Sequence, residues 1–206
     1  MAAQKKSRVA SEREERERAA FGERIGSVDP RRLVAVDECG THTSMTRFRA
    51  RAPRGERAYG KVPRNRGKNT TLIASMTLEG GMGEAMAVEG ATDARVFEAY
   101  VEGFLAPSLS AGQIVLMDNL GAHKTRRVRE LVEARGAQVW FLPAYSPDLN
   151  PIEEAFSKVK ALLKKAAART KEALMEAMAG TLGAVTPEDA RGWFAHSGYE
   201  IRDRPL

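Results

Sequence analysis

The 206-residue sequence predicts an α/β fold in which a mixed sheet carries helices on both faces. Two uninterrupted apolar runs, 33–36 and 114–117, predict strands covered on both faces, because such strands lack polar alternation. An aspartate follows each run directly, Asp37 after the first and Asp118 after the second. Apolar residues at helical spacing over 92–105 predict a crossover helix between the two strands, which would make them parallel.

The remaining predicted elements complete the topology. Residues 70–78 and 84–88 are typical of strands, and 43–50 alternates loosely, so two or three antiparallel strands should follow the first. Later elements are a helix at 123–135, a strand at 138–142, a helix capped by Asn150 and a helix at 171–183, with no firm assignment over 186–206. This order matches the ribonuclease H-like fold, in which the two buried strands are neighbours and bring Asp37 and Asp118 together at their carboxyl ends.

Length and composition favour one domain that acts inside the cell. The chain is of single-domain size, and no stretch approaches the roughly 20 apolar residues needed to cross a bilayer. We expect no membrane partner and, because the N-terminus has no apolar signal core, a cytoplasmic protein. A single cysteine, Cys39, excludes an internal disulfide and a cysteine-cluster zinc site. The predicted division is a charged N-terminal helix or tail over 1–28 and a catalytic domain over 29–206.

The positive charge is concentrated in one segment. The net charge is +6, and residues 47–68 contain nine Arg or Lys against a single acid, Glu56. Such a patch suits a polyanionic partner, because each phosphate contact releases condensed counterions. The alternative is a solvated hairpin, since runs of charge are often only surface.

Three acids form the candidate metal site. Asp37, Asp118 and Glu153 can meet in one pocket, and hard divalent cations such as Mg²⁺ prefer carboxylate oxygens. Two such ions can activate an attacking oxygen and stabilise a leaving oxygen on a phosphodiester. The alternatives are structural: the aspartates can end strands, and Glu153 can belong to a capping arrangement with Asn150.

Several neighbours of these acids have competing interpretations. Glu154 is predicted to pair with Lys158 on the surface, while Glu38 and Asp148 are substitutes for the main triad. His123 could orient a water molecule, contact a phosphate or cap its helix. The residues predicted to contact DNA are Arg64, Arg66, Lys68, His123, Lys124 and Lys160.

Three motifs resemble the catalytic domain of transposases of the mariner superfamily, and most of all the bacterial insertion-sequence-630 type. They are VDE at 36–38, MDNLGAHK at 117–124 and LPAYSPDLNPIEEAFSKVK at 142–160. The resemblance covers roughly residues 31–200. It implies that Asp37, Asp118 and Glu153 are the catalytic, metal-binding triad, and that Mg²⁺ or Mn²⁺, as two ions, supports strand cleavage at transposon ends and strand transfer into target DNA.

The same resemblance implies a homodimer and N-terminal helix-turn-helix modules that recognise the terminal repeats. Residues 1–25 are too short and polar to be such modules, which leaves three alternatives: a split reading frame whose upstream part supplies a helix-turn-helix segment, a truncated copy, or a decayed remnant. Two rival functions remain: a structure-selective nuclease of the ribonuclease H-like fold, and a non-catalytic DNA-binding remnant.

Overall fold

One five-stranded mixed sheet organises the chain. A computed structural model describes residues 10–201. The strands are β1 (Leu33–Thr41), β2 (Thr70–Thr77), β3 (Gly81–Glu89), β4 (Ile114–Met117) and β5 (Gln138–Phe141), in the spatial order β3-β2-β1-β4-β5. The pairs β1–β2 and β2–β3 are antiparallel, whereas β1–β4 and β4–β5 are parallel. The predicted mixed sheet and the adjacency of β1 and β4 are therefore confirmed.

Seven helical segments surround the sheet. They are α1 (Glu15–Gly26), α2 (Ala94–Tyr100), α3 (Ala106–Ser108), α4 (Arg126–Glu133), α5 (Ile152–Ala166), α6 (Lys171–Leu182) and α7 (Pro187–His196). A π-helical segment, Val101–Leu105, joins α2 to α3, so the predicted crossover helix is present. The helix predicted from residue 123 begins later, at Arg126, because Thr125 accepts a hydrogen bond from the N–H of Val128 and caps it. No helix between residues 10 and 201 is long and apolar enough to cross a membrane.

The two faces of the sheet carry separate apolar cores. Leu33 and Ala35 of β1 point into the core that contains α5 and α7, represented by Phe156 and Phe194. Val34 and Val36 belong to the opposite core with α2, α3 and α4. Successive strand residues point to opposite faces, so an apolar run is what a doubly covered strand requires. This arrangement confirms the prediction of helices on both faces.

The basic segment contains no strand. Residues 42–69 are irregular, so the predicted third antiparallel strand near 43–50 is wrong. The segment is tied down at its ends, since the Thr43 hydroxyl donates to the Arg66 carbonyl and Arg169 donates to the carbonyls of Thr43 and Met45. Most of its side chains, including those of its cations, lie in solvent.

The C-terminal residues, for which the sequence pattern was uninformative, form α7. Thr186 and Asp189 make a reciprocal capping box at its start, and Phe194 is fully buried. Lys158 pairs with Asp189 across the α5–α7 contact. The predicted Glu154–Lys158 pair is therefore wrong, because the lysine finds a partner on another helix, and Glu154 lies 3.9 Å from His196 Nε2 instead.

The N-terminal helix α1 packs on the core. Phe21 and Ile25 are buried beneath it, and Arg18 makes two hydrogen bonds of 3.0 and 2.6 Å to the carboxylate of Asp148. The prediction of an exposed helix is thus partly correct. One side of α1 carries exposed charged side chains, and its other side packs on the core through Phe21 and Ile25. Residues 1–9 of the predicted N-terminal segment lie outside the described residues.

We expect Phe21→Ala to lower the free energy of unfolding by about 3 kcal/mol, because truncation of a buried aromatic side chain loses burial and leaves a cavity. Urea denaturation of the full chain measures the change. Glu23→Ala, on the exposed side of the same helix, is the control and should change stability by less than about 0.5 kcal/mol. Equal stability of both variants would show that α1 is not docked.

Candidate active site

The three predicted acids line one cavity of about 410 Å³. Asp37 comes from β1, Asp118 directly follows β4, and Glu153 lies in the first turn of α5. Asp37 is not at a strand end as predicted, because β1 continues to Thr41 by pairing with β2. The pairing of β1 with β4, however, stops at Ala35 and Leu116, so the sheet opens on that side just before the acids.

Asp37 is the most buried of the three. Its Oδ1 accepts the backbone N–H of Glu38 at 2.8 Å, and its Oδ2 accepts Nδ2 of Asn150 at 2.8 Å. Burial raises the pKa of Asp37 to about 7, with the negative charges of Asp118 and Glu153 acting in the same direction against the hydrogen bond from Glu38. The site therefore brings two further carboxylates close to Asp37, which is itself poorly screened by water.

Asp118 is held through a single oxygen. Its Oδ1 accepts the backbone N–H of Leu120 at 3.0 Å and lies 2.6 Å from Nδ1 of His123. Burial acts to raise the pKa of Asp118, but the contacts with His123 and Leu120 outweigh it and lower the pKa below its ordinary value. Asp118 thus stays ionised beside the more buried Asp37.

His123 is fully buried between two carboxylates. Its Nε2 lies 3.0 Å from both carboxylate oxygens of Glu38, and its ring packs 4.1 Å from that of Phe97. Burial acts to lower the pKa of His123, but the contacts with Asp118 and Glu38 raise it to about 9. The predicted contacts of His123 with DNA are corrected, because the ring reaches no surface, and the predicted cap role belongs to Thr125.

Asn150 has a different partner from the one predicted. Its side chain does not cap α5 but donates to Asp37, while its backbone carbonyl accepts the N–H of Glu153. Its Oδ1 is buried without a hydrogen-bond partner. The cap interpretation failed because a sequence window of a few residues cannot show a partner 113 positions away.

The two predicted substitutes do not line the cavity. Glu38 is turned towards His123, and Asp148 is held by Arg18 on α1. The interaction with Arg18 outweighs burial and lowers the pKa of Asp148. Asp37, Asp118 and Glu153 are thus the acids that face the shared space.

The predicted DNA-contacting cations lie outside the cavity. Arg64, Arg66 and Lys68 are exposed in the 42–69 segment, and Lys68 lies 3.0 Å from Glu89. Lys124 is exposed after β4. Lys160 is half-buried on α5 beside Cys39; burial raises the pKa of that thiol to about 11, and the charge of Lys160 acts in the opposite direction.

Tyr145 is a cavity residue that sequence analysis missed. Its side chain is 58% exposed, and its backbone has a φ of 54°, a left-handed conformation that is uncommon for a bulky residue. The loop that carries it is fixed from below, where the Tyr199 hydroxyl donates to the Leu149 carbonyl at 2.6 Å. Nothing in the local sequence marks a tyrosine for positive φ.

The donor set suits hydrated divalent cations. No set of three His, Cys, Asp or Glu side chains among residues 10–201 is arranged to enclose one metal ion. Mg²⁺, however, commonly takes one or two protein carboxylates and completes its shell with water and substrate phosphate. Three carboxylates around one cavity, with the pKa of Asp37 raised partly by the other two, form a site in which a cation would offset the repulsion.

Comparison with known proteins identifies the family. A sequence model described as DDE superfamily endonuclease matches residues 32–175. The chain belongs to this family. No match was found among curated protein sequences.

Solved structures of Mos1 share the fold. The chain matches a Mos1 strand transfer complex with a TM-score of 0.70 and 22% identity, over 94% of this chain and 62% of the other. It matches a Mos1 mariner paired end complex with Mn with a TM-score of 0.71 and 23% identity, over 94% of this chain and 63% of the other. It matches the Mos1 transposase catalytic domain with Raltegravir and Mg with a TM-score of 0.58 and 19% identity, over 90% of this chain and 96% of the other.

At these identities the similarity shows the fold, and the predicted ribonuclease H-like class is confirmed for this DDE endonuclease. The chain spans 62% and 63% of the Mos1 chains in the first two complexes.

The two roles of Asn150 can be separated by serine, which caps helices about as well as asparagine but is too short to reach Asp37. We expect Asn150→Ser and Asn150→Ala to lower the free energy of unfolding equally, by about 1–2 kcal/mol, because each removes a hydrogen bond to a buried carboxylate. Urea denaturation measures both.

The matched control is Thr170, whose hydroxyl does cap α6. Thr170→Ser should preserve stability, and Thr170→Ala should cost about 1 kcal/mol. If Asn150→Ser keeps the stability of the original chain, Asn150 acts as the cap of α5 and its hydrogen bond to Asp37 does not contribute to stability.

Proposed function

We propose that this chain is the catalytic domain of a DDE transposase, which cuts DNA strands at transposon ends and joins them to target DNA. The observation that carries the proposal is the meeting of Asp37, Asp118 and Glu153 at one cavity from three distant parts of the chain. Membership of the DDE superfamily endonuclease family and the fold shared with Mos1 support it.

In this proposal the three acids hold two ions of Mg²⁺ or Mn²⁺. Bound ions of this kind activate an attacking oxygen and stabilise the leaving oxygen of a phosphodiester. The chain itself supplies carboxylate oxygens at fixed positions: Asn150 and the Glu38 N–H orient Asp37, and the Leu120 N–H orients Asp118. Structures of Mos1 with Mg and with Mn support the choice of cations.

DNA is the proposed partner of the exposed cations. Arg64, Arg66 and Lys68 belong to a segment with nine Arg or Lys, and an exposed basic surface can contact a phosphate backbone without reading base sequence. Lys124 and Lys160 remain proposed contacts nearer the acids. His123 is withdrawn from this set because its ring is buried.

The wider assembly also belongs to the proposal. We keep the homodimer, the upstream-frame helix-turn-helix segment, the insertion-sequence-630 branch and the cytoplasmic location as predictions. The division at residues 28 and 29 is likewise a proposal, although the buried Phe21 and Ile25 join α1 closely to the catalytic core.

Asp118→Asn should lower the rate of metal-dependent nicking of plasmid DNA by about 1000-fold or more. The reason is that loss of a metal-binding carboxylate removes several kcal/mol of transition-state stabilisation. Agarose-gel assays with Mg²⁺ or Mn²⁺ measure the rate. Glu154→Gln, one residue from Glu153 but outside the cavity, is the control and should retain activity. Nicking retained by a folded Asp118→Asn variant would reject the assignment.

Strand transfer separates the transposase from the rival nuclease. With precleaved ends that carry a free 3′-hydroxyl, we expect joined products with target DNA in the presence of Mn²⁺, measured on denaturing gels. Ends blocked by a 3′-dideoxy nucleotide are the control and should give none. Hydrolysis products without joined DNA would assign the chain to the nuclease class, and the absence of carboxylate-dependent Mn²⁺ binding would favour the non-catalytic remnant.

A further inference from the structure

A chain of three side chains links β1 to the segment after β4. Glu38 contacts Nε2 of His123 through both carboxylate oxygens at 3.0 Å, and Nδ1 of His123 lies 2.6 Å from Oδ1 of Asp118. Glu38 and His123 are separated by 85 positions, and the proposed mechanism uses neither of their side chains. Both are enclosed, since the His123 side chain is fully buried and that of Glu38 is 12% exposed.

The protein fixes the imidazole ring in place. His123 belongs to a 3-10 turn, Gly121–Lys124, and its backbone N–H donates to the Leu120 carbonyl. One side of the ring packs on Phe97 from α2. A histidine that only filled core volume would need one partner at most, whereas here Nε2 is within hydrogen-bond distance of Glu38 and Nδ1 lies 2.6 Å from Oδ1 of Asp118, although it makes no hydrogen bond there.

The contacts on Asp118 all fall on one oxygen. Oδ1 accepts the Leu120 N–H and lies against the His123 ring, while no donor to Oδ2 is found among residues 10–201. The carboxylate is thereby fixed in rotation, and Oδ2 is left to serve the cavity that Asp118 lines. A ligand oxygen that is fixed before the cation arrives loses less freedom on binding.

Glu38 fixes the ring that lies beside Asp118. Its two carboxylate oxygens hold Nε2 at 3.0 Å, which keeps Nδ1 of the ring against Oδ1 of Asp118. Outer groups that orient a metal-binding residue in this way commonly tune its affinity.

We propose that Glu38 and His123 form a positioning pair that orients Asp118 for a divalent cation. The inference rests on the proposed function, because it assumes that Asp118 binds the cation. Neither Glu38 nor His123 touches the ion or the DNA in this proposal. Their effect is transmitted through Oδ1 of Asp118.

The test measures Mn²⁺ binding to the full chain without DNA. Electron paramagnetic resonance reports the concentration of the free ion during the titration. We expect Glu38→Ala to weaken binding about 10- to 100-fold, the range typical of lost outer-shell partners. Glu38→Gln should bind more tightly than Glu38→Ala, because its amide oxygen still accepts the ring N–H. The matched control, Glu154→Ala, removes an acid of equal charge outside the cavity and should bind within about twofold of the original chain.

A spectroscopic readout checks the ring itself. The chain has three histidines, so ¹⁵N-histidine labelling gives an assignable spectrum. The signal of His123 Nε2 should change in Glu38→Ala, which removes its partner, and less in Glu38→Gln, which keeps an accepting oxygen. If Glu38→Ala does not fold, judged by its denaturation curve, Glu38→Asp, which draws the carboxylate back by one methylene, provides the same two measurements.

The outcomes separate this inference from the proposed function. Absence of Mn²⁺ binding that depends on Asp118 would reject the proposed function itself. Binding lost in Asp118→Asn but unchanged in both Glu38 variants would overturn the positioning pair and leave the proposed function standing. A loss in Glu38→Ala no larger than that in Glu154→Ala would also overturn it, because general charge would then explain the effect.

Discussion

Parallel pairing of β1 with β4 is the constraint on which the site depends. The register joins Leu33 with Ile114 and Ala35 with Leu116, and its continuation places Asp37 level with Asp118. A slip of one residue would send every side chain of one strand to the other face of the sheet. Two separate apolar cores resist such a slip, because alternate residues of both strands are buried on both sides.

The cost of this arrangement appears in the burial of Asp37. A carboxylate in a poorly hydrated place needs hydrogen bonds, and Asp37 receives them from the Asn150 amide and the Glu38 N–H. Both donors are neutral, so they orient the oxygens without cancelling the charge. The turn that carries Asn150 is itself held by Arg18 through Asp148 and by Tyr199 through Leu149. Docking of α1 and the α7 region therefore supports the geometry of an acid on β1.

Patterns with a short period were sufficient to predict the adjacent strands β1 and β4 and the acids that share the cavity. The apolar runs before Asp37 and Asp118, and the helical stripe after Asn150, depend only on neighbours in the sequence. Several of the features that were missed depend on distant partners. Lys158 pairs with Asp189 on α7, Asn150 donates to Asp37, and His123 contacts Glu38. Single side chains of these types have several satisfactory partners, and only the folded chain selects one.

Charge pairing distinguishes the candidate site from the structural acids of the same molecule. Asp148, Asp189 and Glu89 each pair with Arg or Lys, and their pKa values are lowered as expected for an ion pair.

Within residues 10–201, neither Asp37 nor Glu153 has such a partner, and the pKa of Asp37 is raised instead. Asp37 is buried, and a protein that needed its carboxylate only for stability would gain by pairing or replacing it, since a buried unpaired charge is unfavourable. Asp37 and Glu153 lie at one cavity without a Lys or Arg partner among the described residues. A divalent cation bound from solution would supply the positive charge that offsets their repulsion.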